Sequence, residues 1–281
     1  LTVIVAGAHG SHLHFHDDLP QSLLDAGADL VVQSWHKTLP VLTQGSALLV
    51  SQDYSGPSPG PFLSLLQTTS PSYLIMASLE AGSIYMGQES QMHIADSLQA
   101  IFSLHSRIAD TCQTLRVLWN PAWKQDPFKL YVLSDRLSGA EMDEYLRVHH
   151  AIYSEMHDNN GILFILPVHT TEAWAETIYQ ALMALDRYAQ KKISEAADKP
   201  AASFYCRKIP DQCYPLQEAF YKEKEQIPWR NAAGRTAGQF ILRYPPGIPL
   251  LVPGEVITRE IVQLWIASGG TKEELVTVLT K

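Results

Sequence analysis

Val31-Val32-Gln33-Ser34-Trp35-His36-Lys37-Thr38-Leu39-Pro40 runs a buried-strand pattern into a polar turn that carries a single lysine. At such a turn a chain can hold an amine half out of water and use it to form a Schiff base with a carbonyl. Upstream, residues 1–5 read as a short buried strand, Leu19–Gly27 as a brief helix closed by a glycine, and Asp29–Gln33 as the next strand. That spacing predicts a parallel sheet. Open α/β sheets place their ligands just beyond the strand ends, which here are Ala6–His16 and Ser34–Thr38. Downstream, Gly45–Val50 adds a strand, and the Pro- and Gly-rich stretch Ser55–Pro61 is a loop.

From Pro71 to about Ile108 the pattern is helical, with Pro71 suited to the first turn and Ser70 to the cap before it. A second region carries strand candidates at Leu130–Leu133 and Ile162–Leu166. Its helices are expected at Gly139–His157 and at Thr171–Gln190, the latter with Trp174, Ile178, Leu182 and Leu185 on one face. The charged, alanine-rich segment 191–203 reads as a linker. The expected organisation is therefore a first domain over 1–108, an α+β unit over 109–190 and a last unit over 191–281.

The chain has 281 residues, a net charge of −8 and 46% hydrophobic residues, enough to fill two cores. No basic block exceeds a pair, which disfavours nucleic acid or an anionic membrane as partner. Cys112, Cys206 and Cys213 form neither an even set nor a CxxC pair, so a reducing cytoplasm fits best. No apolar run approaches the length of a membrane span. Because the sequence opens directly into a strand that wants neighbours on both edges, the expectation is a C-terminal portion of something longer, or one chain of a split protein.

Several groups of residues could carry chemistry. Ser34 and His36 beside Lys37 offer a hydroxyl and an imidazole that could hold an anion such as a phosphate. His12, His14 and His16 alternate, so on an extended segment they would share a face and, with Asp17 or Asp18, form a zinc constellation. The glycine at position 10 and the helix expected just after argue against that extension, and no metal is expected. Thr68-Thr69-Ser70-Pro71-Ser72-Tyr73 combines a helix start with hydroxyls, which also suits a phosphate. Tyr244–Glu255 holds four prolines and two glycines before its only charge, Glu255, and reads as a rigid loop presenting one side chain.

Taken with Ala8-His9-Gly10 and Tyr244-Pro245-Pro246-Gly247-Ile248-Pro249, the segment Ser34-x-His36-Lys37-Thr38-Leu39-Pro40 resembles the pyridoxal phosphate (PLP)-dependent ornithine/lysine/arginine decarboxylases of fold-type I. The resemblance spans nearly the whole chain and is weakest in 109–160. It implies the C-terminal half of an α/β fold-type I domain followed by a smaller α+β domain. It implies PLP as cofactor, Lys37 as the Schiff-base lysine, Ser34 and His36 on the phosphate side, and Ala8 and His9 beside the ring. Thr69 and Ser70 would approach the phosphate of the neighbouring subunit in a homodimer or higher oligomer, and Glu255 would read the distal cation of a basic amino acid. The upstream half of the fold would come from residues outside this sequence or from a separate chain.

Two departures stand out. The family has Asp-Glu before Ala-His-Gly, the aspartate pairing with the pyridine nitrogen, whereas this chain has Ala6 and Gly7. That carboxylate keeps the ring protonated and hence a good electron sink. The second is Trp35 where the family more often has threonine, an indole bulky enough to crowd or cover Lys37. The resemblance thus leaves two readings, a basic amino-acid decarboxylase or a catalytically impaired relative with a structural or regulatory role.

Overall fold

The computed structural model describes residues 1–120, 122–192, 209–242 and 249–280. Two compact units result, one of Leu1–Leu137, Glu141–Glu155 and Gly161–Lys191, the other of Ser138–Ala140, Met156–Asn160 and the described part of Lys192–Lys281. The linker expected at 191–203 and the loop at 244–248 fall almost wholly outside the described residues, as does Cys206.

In the first unit β1 (Ile4–Ala6) pairs in parallel with β2 (Leu30–Gln33), Val5 opposite Val31. β3 (Ala47–Val50) then closes the sheet antiparallel to β2, in the order β1-β2-β3. β1 stands at the edge of this sheet, where Ile4 is 68% exposed, while Val31 on β2 is fully buried. The helix expected over Leu19–Gly27 is a single turn, Leu23–Gly27. The Ser22 hydroxyl bonds the Asp25 carboxylate at 2.6 Å, the Asp25 amide donates back to it, and Gly27 at φ +99° ends the turn at once.

α1 (Gly60–Leu66) leads into α2 (Tyr73–Thr111), a 39-residue helix capped by Ser72, whose hydroxyl accepts from the Ile75 amide. The cap therefore sits two residues beyond the expected Ser70, which lies in the exposed segment before the helix. β4 (Leu115–Val117), β5 (Lys129–Ser134) and β7 (Gly161–Ile165) follow as antiparallel neighbours in that order. α3 (Gly139–His150) is shorter than expected, because Ala151 adopts φ +53° and turns the chain toward the two-residue β6 (Met156–His157).

On α4 (Glu172–Lys191) the buried stripe is Ala175, Ala181, Leu182, Leu185 and Ala189, with Ile178 packed against it. Trp174 lies off that stripe and is half exposed.

Ile94, Ile101, Leu104 and Ile108 of α2 join Leu130, Val132, Met142, Leu146, Leu182 and Leu185 in one core. Removing each of these side chains from water contributes about 1.5–3 kcal/mol. Asp186 and His105 are among the polar groups buried with it. Fully buried Asp186 accepts from the Thr114 amide at 2.7 Å, the Thr114 hydroxyl at 2.6 Å and the Gln190 amide nitrogen. Burial pushes its carboxyl up, but those donors outweigh it and hold the group below the usual range. His105 has no such partners. Both of its ring nitrogens lack hydrogen bonds, its ring meets Phe102 and Trp119 edge-on, and burial pushes its pKa down to about 4.

The second unit packs α5 (Leu216–Tyr221), β8 (Lys224–Pro228), β9 (Ile241–Leu242), β10 (Pro249–Leu251), α6 (Arg259–Ala267) and β11 (Leu275–Leu279). β8 pairs antiparallel with β11 and β9 with β10. Trp229 stacks on Trp265 over a core that includes Ile241, Leu251, Ile257 and Val278.

Candidate functional site

The two strand ends expected to hold a ligand come together. The Gly7 amide donates to the Val32 carbonyl at 2.9 Å and the Ser34 amide to the Ala8 carbonyl at 3.3 Å, so the Ala8-His9 turn sits beside the Ser34–Lys37 turn. Trp35–Lys37 form one turn of 3₁₀-helix. Lys37 is exposed, not half out of water, and among the described residues its amine has no hydrogen-bond or ion-pair partner. Trp35 does not cover it. The indole packs against the core and its N–H donates to Gln33 Oε1 at 3.2 Å.

His36 donates Nδ1–H to the Gly45 carbonyl at 2.8 Å, which fixes the ring and leaves Nε2 for another partner. The Ser34 hydroxyl is not spent as a helix cap. His9 is held below the ordinary imidazole value by burial, then by the positive charges of Lys129 and Lys37, against the opposing pull of Glu155 and Asp126.

Lys129 and its surroundings are the part that sequence reasoning missed. Asp126 Oδ1 lies 3.1 Å from His12 Nε2 and 3.0 Å from the Phe128 amide, while Oδ2 lies 3.6 Å from the Lys129 ammonium. Burial pushes the Asp126 carboxyl up, yet the His12 ring, Lys129 and the Phe128 amide together hold it below its usual value. Burial also pulls Lys129 down, against the carboxylates of Asp126 and Glu155 and with the help of Lys37. His12 is fully buried and meets Phe128 edge-on at 5.2 Å. The available signal was a lysine opening the otherwise apolar strand Lys129–Leu133, three residues after an aspartate.

The histidine run is not extended, since Leu13–Phe15 form a 3₁₀ turn. His12 points to Asp126, His14 pairs with Asp25 at 3.2 Å, and His16 lies 3.9 Å from Asp18, so the three rings go to three different carboxylates. Thr69 and Ser70 are exposed, the Ser70 amide donating to the Thr68 hydroxyl. Glu255 belongs to the second unit. It is half-buried, and its carboxylate accepts from the Val252 amide at 2.8 Å. Gly254 before it has φ +96°, and a Cβ there would meet the Tyr214 carbonyl, so this corner requires glycine.

Residues 1–135 match the model of the Orn/Lys/Arg decarboxylase major domain, and residues 202–269 match that of the family's C-terminal domain. The chain belongs to the Orn/Lys/Arg decarboxylase family. It is 35% identical over 264 residues to an arginine decarboxylase of Halalkalibacterium halodurans, an alignment covering 91% of this chain and 53% of that protein. The fold matches the constitutive lysine decarboxylase of E. coli with a TM-score of 0.79 at 18% identity, over 99% of this chain and 54% of that one. A NifS-like protein of Rickettsia africae matches over 66% of this chain and 53% of its own, with a TM-score of 0.51 at 13% identity. The fold is thus α/β, of the fold-type I class. The chain spans about half the length of the curated relatives it matches.

Proposed function

We propose that the assembled protein, with whatever further segment or chain completes it, decarboxylates arginine, lysine or ornithine with PLP as cofactor. The observation that supports this is Lys37, an exposed amine in the turn that follows β2, a turn joined by the Ser34 amide to the Ala8 carbonyl. The residues present fit the cofactor's aldehyde and phosphate ends. Lys37 would take the aldehyde carbon, and Ser34 and the fixed His36 ring would face the phosphate. Ala8 would offer a flat methyl surface to the ring, with His9 alongside. Bound PLP supplies the sink for the electron pair left when carbon dioxide departs. His9, kept mainly neutral by burial and two nearby cations, can accept or hold a proton at that ring. Glu255 is the proposed reader of the substrate's distal cation. Borohydride reduction of the PLP-loaded protein followed by peptide mapping is expected to place the cofactor label on Lys37. Label on another lysine, or none with PLP in excess, removes the assignment.

A second reading rests on Ala6. At the end of β1, where the family carries the aspartate for the pyridine nitrogen, there is only a methyl group. A relative that keeps the fold and binds the cofactor while turning over poorly would look like this.

The reading includes a homodimer in the cytoplasm. Supporting the dimer, the segment holding Thr69 and Ser70 is exposed between two apolar faces, with Leu65 and Leu66 on α1 and Tyr73 and Leu74 on α2 all more than three-quarters exposed. Obligate interfaces of this kind bury above roughly 2,000 Å². Sedimentation at micromolar concentration is expected to give a dimer or larger, and a monomer would count against it. Free Cys112 and Cys213 support a reducing compartment.

A further inference from the structure

The Lys129 ammonium lies out of water, yet none of its three donors has a hydrogen-bond acceptor among the described residues. Its nearest carboxylate, Asp126, is 3.6 Å away, an ion-pair distance too long for a hydrogen bond. Asp126 cannot simply close that gap, because its other oxygen is held by His12 Nε2 and by the Phe128 amide. His12 is itself locked, fully buried with Phe128 against its ring. The result is a cation fixed at the first residue of β5 with spare donors, on the side where His9 and Lys37 feel its charge. A desolvated ammonium left in this state is costly, and an arriving anion relieves it. Glu155 acts on Lys129 through its charge, but its side chain is exposed and it makes no hydrogen bond to the ammonium.

We propose that Lys129 binds the carboxylate of the amino-acid substrate, with Asp126 and His12 holding the lysine in place. This rests on the decarboxylase reading above. A cation at that carboxylate fixes which bond to the reacting carbon is broken, because it sets where the carboxylate stands relative to the ring plane.

The test is a rapid-mixing titration of the PLP-loaded assembled protein, read by the cofactor's absorbance within the first milliseconds, before decarboxylation proceeds. The probes are arginine and agmatine, the same molecule without the carboxylate, or the corresponding pairs for lysine and ornithine. Lys129→Met is expected to weaken amino-acid binding about tenfold to a hundredfold, the loss of one charge-assisted hydrogen bond, while binding of the amine and of PLP stays as in the parent. Lys129→Arg is expected to restore most of the amino-acid affinity.

Lys129→Gln gives a second variant of milder packing change, with the same selective loss expected. Equal losses for amine and amino acid, weaker PLP binding, or unchanged amino-acid affinity would each overturn the proposal. Failure of the function reading looks different, because the parent protein then binds no basic amino acid at all or carries no label on Lys37.

Discussion

Ala6→Asp in the assembled protein is expected to raise the rate of decarboxylation of its preferred basic amino acid by about 10²–10³. That factor is what removing one preorganised charge from a site commonly costs, and here the charge would be restored. The geometry accommodates the change. Ala6 is the last residue of β1, exposed and opposite Val32, so a longer side chain there displaces nothing that is packed. The neighbouring position behaves differently. A Cβ at Gly7 would collide with the Leu23 side chain, so the family's glutamate could follow only if Leu23 moved. The comparison is a steady-state assay of parent and Ala6→Asp under saturating PLP. A parent already turning over at about 10 s⁻¹, an ordinary enzyme rate, with no gain from the aspartate would mean that another residue holds the ring nitrogen.

Acid sensitivity through His105 should be the largest stability effect. Its imidazole is pushed from the ordinary 6.5 to about 4 in the folded chain, by burial. The unfolded chain therefore binds the proton more readily than the folded one. Stability from this group is fully present above about pH 6.5 and is lost as pH falls toward 4, by roughly 3 kcal/mol in all. His105→Leu replaces two unsatisfied nitrogens with apolar atoms and should cost little at pH 7. Urea midpoints followed by circular dichroism at pH 7 and pH 4.5 are expected to fall much further for the parent than for His105→Leu. Parallel losses in the two proteins would show that His105 does not carry the acid response.

The site was legible at some residues and hidden at others for one reason, the sequence distance of the contacts that matter. The Lys37 turn could be read because a β-branched run, polar turn residues and a proline are local signals. The facing of Trp35 could not be read there, since the indole turns inward to Gln33 instead of over the lysine. The helix at Leu19–Gly27 shrank to one turn because Ser22, bonded with Asp25, caps it only at that point and Gly27 at φ +99° ends it five residues later.

By itself the sequence determined the strand, turn and strand that bring Ala8-His9 near Lys37, the long helix after Pro71, the family, and the missing carboxylate at Ala6. These follow from periodicity and punctuation over a few residues. Only the tertiary structure decided that Asp126 meets His12 across 114 positions of chain. It alone left the Lys129 ammonium dry, and it engaged Glu255 with the Val252 amide. Burial and charge at these groups are set by which distant segments pack against them, and no local pattern encodes that.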